Sequence, residues 1–319
     1  MRKLIYKKIS LILKIFISLA ILFVLFKLVP YKELLDVFKH SKKIYIFFGF
    51  LLYLLTIAIA ILRWHFLLHS LNVKASFKDV FGTSFVGLFF NLIFPSFIAG
   101  DVFKSFSISS SHGEAKKVAS SVLMDRFSGA VALIFVAFFS YFFGRKVFNE
   151  KEVSLCLLLL CLVIGFCFLA IFSKRFFSFI VKLVGNSALK NKLTSFHEHL
   201  YFFRKNPSIF LKSIYFSFPV QLLTCVTFFI TSKAFGLHMS IIYFFILVPI
   251  IMTIALIPIT VAGAGTREAA AVYFFSLTGI EKSIGLSLSL LNLAFTILAG
   301  LAGGIFYVIV YNRRLQPRS

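Results

Sequence analysis

Three polar constellations lie in stretches that are otherwise apolar, and each joins charges of both signs to residues that interrupt a helix. The first is Asn91, Pro95, Gly100, Asp101 and Lys104. Proline removes a backbone donor and frees a carbonyl, while glycine lets the chain turn. Asp101 and Lys104, three apart, share a face if helix resumes there. The second is Asp125 and Arg126 followed by Gly129. The third is Pro258, Gly263 and Gly265 followed at once by Arg267 and Glu268, after some thirty uncharged residues.

A charge in hydrocarbon costs several kcal/mol unless it is paired or wetted, so each constellation is a candidate site. A restarting helix offers free N–H groups and a positive dipole end, which attract phosphate or carboxylate. Lys104, Arg126 and Arg267 would add point-charge and forked contacts to the same anion. The alternative is that Asp101–Lys104, Asp125–Arg126 and Arg267–Glu268 are ion pairs that hold interrupted segments in register. Proline, glycine and mixed charges occur once in each half of the chain, which favours a shared purpose.

The surroundings define the elements that must position these residues. Of 319 residues, 60% are hydrophobic and 18% aromatic, against 14% charged. A soluble domain carries about 25% charged residues, so a cytosolic enzyme and a disordered chain are both excluded. Eight apolar windows (9–26, 44–62, 80–100, 127–144, 153–173, 213–232, 234–266 and 283–312) approach the roughly 20 residues a spanning helix needs. Two are irregular: 80–100 holds Asn91 and Pro95, and 234–266 is too long for one crossing and holds Pro249, Pro258, Gly263 and Gly265. The sequence therefore predicts an all-α, polytopic membrane protein forming one membrane domain over 1–319. It has about six full transmembrane helices and two re-entrant or broken segments in a pseudo-repeated arrangement.

Charge sets the expected topology. The chain has 34 Lys+Arg against 11 Asp+Glu, and basic residues of polytopic proteins collect in cytoplasmic loops. No nucleic-acid partner is expected. Residues 174–212 carry eight basic residues and one acid, Glu198, and the tail carries Arg313, Arg314 and Arg318. Re-entry of 80–100 and a hairpin from 234–277 place all of these, and the N-terminus, on the cytoplasmic side. The first window follows Arg2, Lys3, Lys7 and Lys8 with no small-residue cleavage site after it, and reads as a retained helix. Residues 27–43 then form an external loop. Leu189, Leu193, Phe196, Leu200 and Phe203 predict an amphipathic interfacial helix within about 186–206. Gly300, Gly303 and Gly304 predict close helix packing.

Weaker candidates fall away. Cys156, Cys161, Cys167 and Cys225 show no paired spacing and read as small apolar residues. His65 and His69, beside Arg63 and Trp64, read as an interfacial belt rather than a metal site. Ser109–Ser111 reads as loop. No metal site and no cofactor is expected.

In its three constellations the chain resembles the flippase-like membrane region of lysylphosphatidylglycerol synthases, over nearly its whole length. Two positions depart from that pattern: Ala99 stands where a second glycine is usual, and Lys104 where Arg is common. No stretch resembles the soluble aminoacyl-transferase domain of full synthases, so lysyl transfer is not expected. The resemblance implies translocation of a lipid with a polar or phosphate-bearing headgroup across the bacterial inner (plasma) membrane, with phospholipid or polyprenyl-phosphate as partner. The implied headgroup set is Asn91, Asp101, Lys104, Asp125, Arg126, Arg267 and Glu268. Pro95, Gly100, Pro258, Gly263 and Gly265 are the implied breaks. Two other functions are compatible with the residues: a non-transporting accessory that binds a lipid or a membrane-bound transferase, and an embedded transferase with Asp101 or Asp125 as base.

Overall fold

A computed structural model describes residues 16–94, 99–144, 151–182, 194, 203–256, 260 and 263–315. Pro95 and Pro258, and nearly all of the amphipathic helix expected over 186–206, lie outside the described residues.

Among the described residues all regular structure is helical, in twelve segments besides short helical stretches at 194 and 203–205. They are α1 (Phe16–Leu28), α2 (Tyr31–Lys39), α3 (Lys43–Ser70), α4 (Phe77–Ile93), α5 (Ala99–His112), α6 (Ala115–Gly144), α7 (Lys151–Phe172), α8 (Lys174–Lys182), α9 (Pro207–Ala234), α10 (Ile241–Leu256), α11 (Thr266–Ser276) and α12 (Lys282–Leu315). α3, α6, α7, α9 and α12 are long and apolar enough to cross a bilayer.

The irregular windows become helical hairpins. The Asn91 side chain of α4 accepts from the Gly100 N–H of α5 at 2.7 Å, while Thr83 near the start of α4 meets Ser107 toward the end of α5. α4 and α5 are therefore antiparallel. Their close approach needs glycine: a Cβ on Gly100 would stand 2.2 Å from the Gly87 carbonyl oxygen. α10 and α11 fold back in the same way, with Phe244 against Phe275 and Met239 beside Thr278 at the open end.

Long-range contacts fix the relative directions. The N–H of Lys42, before α3, donates to the carbonyl of Ala234, which ends α9, so α3 and α9 run antiparallel. Gly144 at the end of α6 meets Ile242 at the start of α10, and Gly82 near the start of α4 meets Phe306 late in α12. The first hairpin thus opens on the face where α3 ends (the Ser70 face). The second opens on the face where α3 begins (the Lys43 face). The chain is consequently two units in one order, α1–α6 and α7–α12. Among the described residues each has an apolar helix, a nine-residue amphipathic helix, a spanning helix, a hairpin and a long spanning helix. Opposed directions make them inverted repeats, an arrangement that places sites at mid-membrane.

Two short helices differ from the sequence reading. Residues 31–39 form α2, whose Leu34 is buried against Leu286, rather than a plain loop. Ser109–Ser111 belong to α5, their hydroxyls bonded back to carbonyls three or four residues earlier. The small-residue face of α12 packs on α4 as expected. A Cβ on Gly303 would lie 2.0 Å from the Phe85 carbonyl oxygen.

Candidate functional site

The first hairpin carries a charged group built from three helices. Asp101 occupies the first turn of α5, where the dipole favours an acid. Arg126 of α6 grips it in a fork, Nε to Oδ2 at 2.8 Å and Nη2 to Oδ1 at 3.0 Å. Lys104, one turn along α5, stands 3.9 Å from Asp101 and 5.2 Å from the centre of the Trp64 ring. Asp125 does not pair with Arg126. Adjacent helical residues point away from each other, and Asp125 instead takes Arg63 of α3, Nε to Oδ1 at 2.6 Å. Arg63 also donates to Ser217 of α9 at 2.8 Å. Gly129 is what lets it pass, since a Cβ there would sit 3.2 Å from the guanidinium.

Three cations thus face two carboxylates, one positive charge in excess. Arg63 is 7% exposed, but the Arg126 side chain is 45% exposed, and its Nη1 finds no acceptor among the described residues. Val102, Phe106 and Leu123, which flank this group along α5 and α6, are exposed and apolar. By helical rise Asp101 and Arg126 lie about 16 Å from the Ser70-face ends of their helices, near the middle of a bilayer. A spare guanidinium N–H and a loosely held ammonium at that depth, beside lipid-facing side chains, can receive an anion whose carrier stays in hydrocarbon.

The second hairpin places Arg267 and Glu268 differently. Glu268 is 1% exposed and closes its own helix: its Oε2 accepts the Gly265 N–H at 2.7 Å. Gly265 stands at φ +92°, a left-handed position that suits glycine. Arg267 lies across Glu268, Nη2 to Oε1 at 2.6 Å, and Ser289 of α12 bonds both. Among the described residues no hydrogen bond or ion pair joins this group to the first. Arg267 lies in the first turn of α11, nine residues from the Lys43-face end of that helix, whereas Arg126 lies eleven residues from the Ser70-face end of α6. By helical rise those depths are about 14 Å and about 16 Å from opposite faces.

The sequence-predicted residues therefore divide. Asn91, Gly100, Asp101, Lys104, Asp125 and Arg126 come together; Gly263, Gly265, Arg267 and Glu268 form a separate, neutral pair with its turn. Arg63 and Ser217 were missed. The available signal was depth: Arg63 lies seven residues, about 10 Å, inside the end of a 28-residue apolar helix, too deep for a belt residue. Among the described residues no cluster of metal-ligating side chains occurs.

Inverted repeats of apolar helices around two helical hairpins, with charges at mid-depth, define an all-α, multi-pass membrane protein. The chain belongs to the family described as the lysylphosphatidylglycerol synthase TM region, which matches residues 11–304. It is also similar to a UPF0104 membrane protein of Methanocaldococcus jannaschii, 23% identical over 90% of each chain. No solved structure matches it significantly.

Proposed function

We propose that this protein moves a lipid with a phosphate-bearing headgroup between the leaflets of the plasma membrane. Arg126 and Lys104 hold the phosphate at the first hairpin. The observation that carries this reading is the excess positive charge beside exposed apolar side chains at mid-membrane depth. Asp101 orients Arg126, and the buried Arg63–Asp125 pair fixes the floor beneath both. Acyl chains remain in the bilayer along Val102, Phe106 and Leu123 while the headgroup occupies the charged group. Asn91 ties the hairpin tip so that the first turn of α5 keeps Asp101 facing Arg126. The basic α8–α9 connection and the C-terminal arginines favour a cytoplasmic Ser70 face, the face from which α1 sets out and at which α12 ends.

Vesicles of phosphatidylglycerol and phosphatidylcholine containing the purified protein and a fluorescent phospholipid test the reading. Wild-type protein accelerates exchange between leaflets, Arg126→Ala abolishes the acceleration, and Arg126→Lys keeps part of it. Exchange at the wild-type rate with Arg126→Ala would overturn the assignment. A polyprenyl-phosphate probe run in parallel distinguishes the two lipid sources of the phosphate.

A further inference from the structure

α1 runs parallel to α11 on the outside of the second hairpin, its Ile21 and Ser18 against the Gly265 turn. Between the two helices lies a groove of about 470 Å³, within the range of ligand pockets. Leu25 and Val272 are buried in its floor; Val24, Leu28 and Tyr273 form an exposed rim open to the bilayer. Ser276 and Lys282 close it at the Lys43 face. Lys282 has no carboxylate partner among the described residues. By helical rise the groove is about 10 Å long, from Ile21 and Ala269 to Leu28 and Ser276.

A hydrocarbon slot opening sideways to lipid, with an ammonium and a hydroxyl at its interfacial end, has the polarity of a single amphiphile. We propose that this groove is a second lipid site. It takes the upper part of one acyl chain, and Lys282 takes the phosphate at the Lys43 face. The occupant is a lipid of the class received at Arg126, so the proposal rests on that reading for its role: the place where the carried lipid joins or leaves the far leaflet. Its inner end is Ala269, the residue after Glu268. A chain seated there presses on the contact that keeps α1 over the locked Arg267–Glu268 pair.

Native mass spectrometry of purified protein carrying Arg126→Ala, which removes the first headgroup site from the reading, titrated with dioleoyl-phosphatidylglycerol or dioleoyl-phosphatidylcholine and compared with the same protein bearing the groove variants, tests this. Ala269→Leu fills the floor and is expected to weaken phosphatidylglycerol binding at least fivefold. Lys282→Glu is expected to remove the preference for phosphatidylglycerol over phosphatidylcholine. Leu162→Trp, on the exposed face of α7, leaves both unchanged. Lys282 is at the helix start and its substitution leaves the core intact, so it decides the matter should Ala269→Leu fail to fold. Unaltered binding in the Lys282→Glu protein overturns the groove. Loss of binding in the groove variants together with normal exchange in Arg126→Ala keeps the groove and overturns the transport reading instead.

Discussion

The two hairpins occupy equivalent places in inverted repeats, each with an acid at the third position of its returning helix, yet they use that acid for opposite ends. Glu268 is spent on its own turn and its neighbouring arginine, under the cover of α1. Asp101 reaches a different helix and leaves its arginine half in the open. The difference follows from what lies outside. α1 packs on the second hairpin, whereas α7, its counterpart, packs on α6 and α10 through Val153 and Leu157 and, among the described residues, does not cover α5. A charge pair becomes structural when a neighbour excludes water and lipid from it, and it stays available when none does.

This contrast is easiest to break through stability. Glu268→Ala strands a buried guanidinium and an N–H, and a buried pair broken on one side costs about 3–5 kcal/mol; thermal denaturation in detergent should show it plainly. Asp101→Ala, the matched change beside a half-exposed arginine, should cost distinctly less than Glu268→Ala. Equal losses would erase the distinction. Arg63→Ala should resemble Glu268→Ala, and the double change Arg63→Met with Asp125→Leu should recover much of the loss, since two apolar residues leave nothing unpaired. Gly303→Val wedges α12 from α4 and should cost about 1–3 kcal/mol, read in the same melt. Asn91→Ala removes the acceptor for the first turn of α5, about 1 kcal/mol by analogy with a lost helix cap. Lys104→Met should scarcely move the melt while slowing leaflet exchange.

Much of the fold was legible because hydrocarbon imposes length and continuity. A window too long for one crossing, with Pro258, Gly263 and Gly265 near its end, had to fold back, and it does. The first hairpin was legible as a break but not as two well-formed helices, because α5 carries Ser105, Ser107 and Ser109–Ser111, which resemble loop until their hydroxyls are seen bonded to the helix's own carbonyls. α2 was hidden by its lysines. The site was half legible. Which residues were out of place could be read, but partners depend on helix azimuth: Asp125 and Arg126 look paired in a line of text and point to different helices in space. Arg63 was concealed by Trp64 and two histidines that imitate an interfacial belt.

α12 packs against both hairpins, its early turns on α11 through Gly285 and Ser289 and its late turns on α4 through Gly300, Gly303 and Gly304. α6 does the same in mirror order, through Arg126 on α5 and Gly144 on α10. Two stiff beams thus span the molecule, each touching one hairpin at either end. Under the proposed transport, a tilt of either beam would loosen one hairpin as it tightened the other, without a separate relay between the leaflets.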